Sequence, residues 1–513
     1  MMTDLDFDAA RIDELFAPYD RGDAPGFAVG IAIRGRPVYR RGFGLSSVEL
    51  PVMLSPGMRM RIGSVTKHFT ALAILLLAED GLLSIADSPR RYLPEMPDWA
   101  EAMTLRQLMA HTSGMRDSLD LILHGAGPGT PTTTEFQRDY LAGLDSVNFA
   151  PGTSWSYNNG GYVLLSEIVA RVSGIPFADF LQHRIFTPIG MHDTLLRPLD
   201  TDLVANSATL HVPVPGGGWM RGVFGTPIGG EGGIVSTIDD MLRWLAHMNA
   251  PRVGTPDSWS ALRTPLSTHG YGLGLFIDRH RGLDTLHHAG AVVGGSSQMT
   301  KVLGHDLDIV VMSNGRPSLD GYRLVDAIID RCIPALPPLP DNVAAAPVVG
   351  TFHSAATGRV LKLGDQGGAQ TLTIGAFTLP THRDGDGALS VPILPTDLRV
   401  TPSGDGDTLD VIEFGSDDQL ARVTPPAATH APSISGHYRN NAAQLDAAID
   451  TDVAEITVTG PLGAMRYALT VLGPSLWEAK ALGALPLVAT IEMDAHGFLF
   501  TTGRTIRLAF SRI

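Results

Sequence analysis

The sequence GSVTKHFT at residues 63–70 decides the fold, because it opens an apolar run of helical length. The run is apolar on every face and predicts a buried central helix over residues 67–79. Ser64 and Lys67 are three positions apart, so both side chains project from one helical face. The pattern S-x-x-K is common by chance, and most occurrences are a solvated serine and lysine.

The chemistry of this pair favours a role in catalysis. A serine hydroxyl is a poor nucleophile near pH 7 and needs a base within hydrogen-bond reach. A desolvated lysine at the first turn of a buried helix has a lowered pKa and can accept that proton. We therefore predict Ser64 as a nucleophile and Lys67 as its base.

A second motif, SYNNG at residues 156–160, precedes an apolar helix predicted over residues 162–172. This placement predicts that Tyr157 and Asn159 lie in a loop. A phenol can transfer a proton, and an amide can bind a carbonyl oxygen or the lysine. Taken alone, a tyrosine such as Tyr157 is more often a packing aromatic.

A third motif, HHAGA at residues 287–291, lies on a predicted strand. Gly290 would let a substrate backbone approach that strand closely. The N–H groups of Ala291 and Ser64 together would form an oxyanion hole. A histidine pair taken alone is more often structural than catalytic.

In order and spacing, S-x-x-K at Ser64, Y-x-N at Tyr157 and H-x-G at His288 resemble the motifs of the penicillin-recognising serine hydrolases. That family includes class C β-lactamases, D,D-carboxypeptidases, esterases and D-aminopeptidases. The stretches LMAHTSGM at residues 108–115 and GEGGIVSTIDD at residues 230–240 look like the same family.

The resemblance implies an α+β catalytic domain, in which a helical subdomain packs on a five-stranded antiparallel sheet. It implies that Ser64 forms an acyl-enzyme, that Lys67 is the base in acylation and that Tyr157 relays a proton to the leaving group. It also implies that Asn159 orients the substrate. The resemblance further implies that His288, Gly290 and Ala291 of the third motif bind the substrate.

The whole chain is similar to the D-aminopeptidase branch of this family. That similarity implies release of N-terminal D-residues, a homodimer and inhibition by β-lactams. In that branch a loop of the last domain presents an aspartate to the substrate amine, but the counterpart at residues 478–486 is short and has no aspartate. Phe276 and Ser296 stand where polar groups lining the site are expected, and His288-Ala289-Gly290 replaces the common K-T-G.

Two proline-rich runs, at residues 333–340 and 424–432, divide the sequence. We predict a β-lactamase-like catalytic domain over residues 1–335, followed by small antiparallel β-barrel domains over residues 341–430 and 431–513. A faint repeat supports the two barrels, since residues 346–352 resemble residues 431–438. The Asp-Gly pairs at residues 384–387 and 405–407 are not followed by a calcium loop and predict hairpin turns.

Composition excludes several classes of protein. With 38 Lys+Arg against 53 Asp+Glu the net charge is −15, and no basic run is present, so we expect no nucleic-acid partner. The longest apolar stretch, residues 71–78, is far shorter than the roughly 20 residues of a membrane-spanning helix. The acidic first residues lack a secretory signal, which favours a cytoplasmic protein. Cys332 is the only cysteine, and we predict no metal ion and no cofactor.

Three functions stay open from the sequence. The first is a D-aminopeptidase acting on small peptides or amides. The second is a carboxylesterase or amidase for neutral acyl groups, favoured by Phe276 and the apolar stretch at residues 478–486. The third is a penicillin-binding sensor whose acyl-enzyme does not turn over.

Overall fold

The computed structural model describes residues 5–266, 270–334, 336–337, 342–392, 396–413, 415–425, 434–483 and 485–513, with the main chain alone for Ser318. These residues form two compact units. The first contains the described residues of 1–95, 100–110 and 161–339, and the second contains those of 96–99, 111–160 and 340–513. The predicted domain limits at residues 335, 341, 430 and 431 lie outside the described residues and stay predictions.

The helices of both units follow one another along the chain as α1 (Ala9–Phe16), α2 (Lys67–Glu79), α3 (Leu105–Met109), α4 (Ser118–Ala126), α5 (Thr134–Gly143), α6 (Asn159–Ser173), α7 (Phe177–Leu181), α8 (Thr187–Ile189), α9 (Ile238–His247), α10 (Pro256–Arg263) and α11 (Ser318–Cys332). Short 3₁₀ turns occupy Ala17–Tyr19, Gly63–Thr66, Pro89–Arg91 and Asp98–Ala102, and a π turn at Gln182–Phe186 joins α7 to α8.

The strands of the first unit are β1 (Phe27–Ile33), β2 (Arg36–Phe43), β3 (Leu45–Ser47), β4 (Val52–Met53), β5 (Met60–Arg61), β6 (Leu195–Leu196), β7 (His211–Pro213), β8 (Trp219–Arg221), β9 (Ile234–Ser236), β10 (Phe276–His280), β11 (Leu283–Val292), β12 (Gly295–Val302) and β13 (Leu307–Ser313). The central sheet is antiparallel and has the order β10-β11-β12-β13-β1-β2. Its register pairs Gly290 with Ser297 and Val29 with Val311.

The expectation of a five-stranded sheet is wrong, because the sheet has six strands. The additional edge strand is β10, which forms a hairpin with β11. Arg281 and Gly282, the two residues between them, have φ of 48° and 86°, as a two-residue hairpin turn of the I′ type requires. The predicted hairpin of β1 and β2 is confirmed.

Helices cover both faces of this sheet, so β1 and β13 are buried along almost their whole length. α11 packs on β12 and β13, α1 contacts α11 and the same core, and α9 packs on β1 and β13. The core between the sheet, α1 and α11 contains Ile12, Phe16, Phe27, Val29, Ile31, Val311, Ile328, Ile329 and Cys332. Burial raises the pKa of the Cys332 thiol to about 11, so this thiol is an inert core group. α2 is buried from Lys67 to Leu77, as predicted.

The second unit contains α4, α5 and the strands β14 (Gly350–His353), β15 (Val360–Gln366), β16 (Ala369–Ile374), β17 (Phe377–Pro380), β18 (His382–Arg383), β19 (Leu389–Ser390), β20 (Arg399–Pro402), β21 (Thr408–Glu413), β22 (Ser416–Val423), β23 (Gly436–Asn440), β24 (Leu445–Asp450), β25 (Glu455–Gly460), β26 (Gly463–Gly473), β27 (Leu476–Ala481), β28 (Val488–Met493), β29 (Gly497–Thr501) and β30 (Leu508–Arg512). β23 to β30 close into an eight-stranded barrel. β14 to β22 form a nine-stranded, nearly closed barrel. The predicted α+β class with two antiparallel barrels is confirmed.

The two barrels repeat one arrangement of an aromatic residue and an arginine. Phe352 on the first strand pairs with Arg422 on the last, and the guanidinium lies 4.8 Å from the ring centroid. Tyr438 pairs with Arg512 in the same way, at 5.9 Å. The faint sequence repeat therefore marks equivalent positions of the two barrels.

Within the described ranges, no helix is long and apolar enough to cross a membrane. The same residues contain no group of three or more His, Cys, Asp or Glu side chains that could hold a metal ion. The Asp-Gly pairs at residues 384–387 and 405–407 connect β18 to β19 and β20 to β21, as hairpin turns.

Candidate active site

Ser64 and Lys67 lie together where the 3₁₀ turn Gly63–Thr66 runs into α2. The Lys67 Nζ is 3.1 Å from the Ser64 Oγ. The spacing of three residues therefore brings both groups into one site, as the sequence predicts.

Lys67 is fully buried, and a main-chain oxygen fixes its amine. Lys67 Nζ donates to the carbonyl oxygen of Glu231, at 2.7 Å, and lies 5.3 Å from the ring centroid of Tyr162. Thr70, one turn along α2, donates to the neighbouring carbonyl of Gly230 at 2.8 Å. These contacts with residues 230–231 hold the amine beside the serine.

Strand β11 runs directly against the turn that carries Ser64. A Cβ built on Gly290 would lie only 1.9 Å from the oxygen of Ile62, and one built on Gly63 would lie 2.9 Å from the nitrogen of Ala291. Gly63 has a φ of +52°, which favours glycine. The absence of a side chain at both glycines thus lets the main chain of residues 290–291 approach the residue before Ser64.

His288 is buried and its ring nitrogens have main-chain and phenol partners. Nδ1 lies 2.6 Å from the carbonyl oxygen of Ala289, so it donates, and Nε2 lies 3.1 Å from the hydroxyl of Tyr271. Burial, followed by the charge of Lys67, lowers the pKa of His288 well below its ordinary value. The imidazole is therefore neutral and does not supply the positive charge of the lysine in K-T-G.

Phe276 and Ser296 are both buried in the first unit. The Phe276 ring stacks on His287 at 5.3 Å and packs edge-on against Tyr271 at 4.7 Å. The Ser296 hydroxyl donates to the carbonyl oxygen of Arg316 at 2.8 Å. Each side chain therefore has a packing or hydrogen-bonding partner in the sheet.

Tyr157 belongs to the second unit and lies in a loop, as predicted. His111 contacts the Tyr157 ring and the main chain of the residues on either side of it. The carbonyl oxygen of His111 accepts the N–H of Ser156 at 3.0 Å, its Nδ1 accepts the N–H of Asn158 at 3.1 Å, and its ring lies 4.3 Å from the Tyr157 ring. His111 adopts a left-handed conformation, with a φ of +61°, to do this. The position of Tyr157 is thus fixed through its main chain and its ring.

Asn159 is the first residue of α6, so its prediction as a loop residue is wrong. Asp117 explains the early start of the helix, because its carboxylate accepts the N–H of Gly160 at 3.3 Å and the Asn159 side-chain amide at 3.1 Å. N–H groups in the first turn of a helix have no partner within the helix, and an acidic side chain there stabilises it.

The first part of the stretch at residues 478–486 differs from its prediction as a loop, because Glu478 to Ala481 are part of β27, which pairs with β28. The described residues 482–483 and 485–486 lie between these strands and are outside any strand, and Ala484 lies outside the described residues. The Glu478 carboxylate accepts from Lys362 Nζ at 2.8 Å. Glu478 is therefore a paired strand residue of the last barrel.

Sequence reasoning did not assign a role to His111 or find Arg504, whose guanidinium carbon lies 5.2 Å from the Tyr157 ring centroid. His111 lies in the quoted stretch at residues 108–115, but its contacts with Tyr157 depend on the folded loop. Arg504 has no local motif, because its contact joins segments far apart in the chain.

The chain is similar to known proteins along most of its length. The D-aminopeptidase of Brucella melitensis biotype 2 (strain ATCC 23457) is 28% identical over 487 residues, which cover 92% of this chain and 90% of the relative. The D-aminopeptidase of Brucella anthropi is 29% identical over 506 residues, which cover 94% of this chain and 93% of the relative.

Solved structures share the fold. The octameric penicillin-binding protein homologue from Pyrococcus abyssi has a TM-score of 0.57 at 20% identity and covers 90% of this chain and 100% of its own. The D-amino acid amidase from Ochrobactrum anthropi SV3, complexed with L-phenylalanine, has a TM-score of 0.54 at 23% identity and covers 63% of this chain and 98% of its own. Residues 12–330 match the family described as Beta-lactamase. The match spans more than half of the chain and includes Ser64, Lys67 and His288, so the chain belongs to the Beta-lactamase family.

Proposed function

We propose that this protein is a serine hydrolase that releases N-terminal D-amino acids from small peptides or amides through an acyl-enzyme on Ser64. The observation that carries the proposal is the 3.1 Å contact between the half-buried Ser64 hydroxyl and the buried Lys67 amine. The similarity to D-aminopeptidases along more than nine-tenths of the chain supports the choice of substrate.

The acylation step follows from how Lys67 is held. A neutral amine has two N–H groups and one lone pair. One N–H donates to the Glu231 oxygen, which leaves the lone pair for the hydroxyl proton of Ser64. As Ser64 Oγ forms a bond to the acyl carbon, its proton passes to Lys67 Nζ. Tyr157 then transfers a proton to the leaving amine as the C–N bond breaks.

Deacylation reverses the proton path. Water attacks the ester carbon of the acyl-enzyme and loses a proton to the Tyr157 phenolate, and the Ser64 oxygen leaves with the proton that Lys67 Nζ holds. The N–H groups of Ser64 and Ala291 would stabilise the negative oxygen of each tetrahedral intermediate. Asn159, His288 and Gly290 are assigned to substrate orientation.

The second candidate is a carboxylesterase or amidase for neutral acyl groups. Phe276, which is buried and stacked on His287, favours this candidate. Residues 478–486 favour it as well, because they contain no aspartate for the amine of a D-residue and their Glu478 is already paired with Lys362. The third candidate is a sensor whose acyl-enzyme is stable. These alternatives differ in whether a free amine is needed and in whether the adduct hydrolyses.

The deciding experiment compares D-Ala-Gly-Gly with its N-acetylated form, with product D-alanine or acetyl-D-alanine measured by mass spectrometry. An aminopeptidase releases D-alanine from the free peptide and does not cleave the blocked one. Equal cleavage of both, or faster turnover of p-nitrophenyl butyrate than of either, would favour the esterase. A Ser64 adduct that persists on the intact protein would favour the sensor.

Inhibition by β-lactams, a homodimeric state and a cytoplasmic location stay predictions. The first is measured as loss of D-Ala-Gly-Gly cleavage after incubation with benzylpenicillin, with Ser64→Ala as the blank for adduct formation. The second is measured by light scattering of the purified protein.

A further inference from the structure

The turn between β29 and β30, residues 502–507, is anchored next to Tyr157 in the second unit. Thr502 and Thr505 both donate their hydroxyl hydrogens to Asp120 Oδ2, at 2.5 and 2.8 Å. The main-chain oxygen of Arg504 accepts from Asn148 Nδ2 at 2.8 Å. The C-terminal barrel therefore presents Arg504 in a fixed main-chain position.

The Arg504 side chain lies between a buried carboxylate and the Tyr157 ring. Its Nη1 donates to Asp117 Oδ2 at 3.2 Å, and its guanidinium carbon is 5.2 Å from the Tyr157 ring centroid. The Asp117 side chain has no solvent exposure, and it also receives the Asn159 amide. One carboxylate thus joins the arginine to the first residue of α6, two positions after Tyr157.

Arg504 keeps its charge in this setting. Burial lowers the pKa of the guanidinium, but Asp117, Asp120 and an ionised Tyr157 outweigh that effect and hold its pKa above the ordinary value. The interaction is reciprocal, because a cation that is favoured by a phenolate favours the phenolate equally. His111 is a further titratable group against Tyr157 in this unit, and its Nδ1 accepts the N–H of Asn158 and so carries no proton.

The third motif of this chain cannot supply a positive charge, because His288 is neutral and hydrogen-bonded to Ala289 and Tyr271. We infer that Arg504, delivered by the C-terminal barrel, is a positioning residue that stabilises the ionised phenol of Tyr157 and makes it a competent proton acceptor. This inference rests on the proposed role of Tyr157 and gives the C-terminal barrel a direct function in catalysis.

Tyr157 and Arg504 border a cavity, so the contact between them can be changed without repacking the core. A space of about 910 Å³ within the second unit has Tyr157 and Arg504 in its wall, and 37% of the Arg504 side chain is exposed. Substitution of Arg504 by glutamine removes the charge and keeps much of the length. Arg504→Lys keeps the charge, and Arg466→Gln, on the exposed side of β26, is the matched control.

The experiment is a pH titration of the Tyr157 phenol by NMR of ¹³Cζ-labelled tyrosine, with Tyr157→Phe used to assign the resonance. We expect the midpoint in Arg504→Gln to rise by about one pH unit or more, in Arg504→Lys by less, and in Arg466→Gln not at all. Because the proposed mechanism uses the phenolate as an acceptor in deacylation, the low-pH limb of kcat should shift in the same direction with a substrate for which deacylation limits the rate. A midpoint in Arg504→Gln equal to that of the wild type would overturn the inference.

The titration needs no substrate, so it separates the two proposals. If the wild type does not cleave D-alanyl peptides, the proposed function fails, and the titration still decides what Arg504 does. If Arg504→Gln is poorly folded, Arg504→Met provides the second comparison, because it also removes the charge and keeps much of the length. A midpoint in Arg504→Met equal to that of the wild type would likewise overturn the inference.

Discussion

Lys67 and Ser64 are held 3.1 Å apart in a buried turn, and the lysine amine is anchored to the Glu231 carbonyl at 2.7 Å. The anchor matters because a long, flexible lysine side chain would otherwise lose its orientation. This relationship leads directly to the first prediction.

Removal of either group should abolish hydrolysis. Ser64→Ala eliminates the nucleophile and Lys67→Met eliminates the base while keeping the volume, so each should lower kcat/KM by about 10³-fold or more. Lys480→Met, at an exposed position of β27, is the control and should retain activity. Substantial activity in Lys67→Met would contradict the role of the amine.

A side chain at Gly290 should separate β11 from the turn that carries Ser64. The Cβ of Gly290→Ala would lie 1.9 Å from the Ile62 oxygen and 2.5 Å from Ser297 Oγ, so the main chain must move. We expect a lower melting temperature and a kcat reduced by about 10²-fold, as a displacement of about 1 Å at a reacting site typically causes. Gly22→Ala, where no atom lies within 4 Å of the new Cβ, should change neither.

His111 should position Tyr157 without touching the substrate. His111→Ala removes the acceptor for the Asn158 N–H and the ring against Tyr157, and we expect kcat to fall by about 10²-fold with little change in KM. Asparagine tolerates a positive φ and has a side-chain oxygen that can accept, so His111→Asn should keep more activity than His111→Ala. Equal losses in both variants would contradict the positioning role.

His68 should make the protein less stable in acid. It is fully buried, neither ring nitrogen has a hydrogen-bond partner among the described residues, and burial lowers its pKa to about 3. The unfolded chain binds a proton at this histidine below pH 6.5 and the folded protein does not, so stability is lost as the pH falls from 6.5 toward 3.

His68→Phe should remove that dependence and keep the ring contacts with Phe69 and Trp244. Between pH 7 and pH 5 the free energy of unfolding in urea should fall by about 2 kcal/mol more in the wild type than in the variant. Equal pH dependence of the two proteins would show that His68 is protonated in the folded state.

The sequence predicted elements whose signal is local. The helix over residues 67–79 is confirmed because its residues are apolar on every face, and the first hairpin is confirmed because its strands and turn are adjacent. The pairing of Ser64 with Lys67 needed only helical geometry. In each case the information lies in one continuous segment of the chain.

Some of the features that sequence reasoning missed depend on distant segments. α6 begins at Asn159 because Asp117 accepts the N–H of Gly160, and Tyr157 is fixed by His111 and Arg504. Two other features were missed although their partners are near in the chain. Strand β10 is joined to β11 by a two-residue turn, and residues 478–481 pair with the next strand, β28, where the resemblance implied a loop.

The most direct test of the account is the initial rate on D-alanine p-nitroanilide and on its L-enantiomer, with Ser64→Ala as the blank. The account predicts hydrolysis of the D-enantiomer that is much faster than that of the L-enantiomer and is lost in Ser64→Ala. Equal rates on both enantiomers, or a D-specific rate that persists in Ser64→Ala, would contradict it.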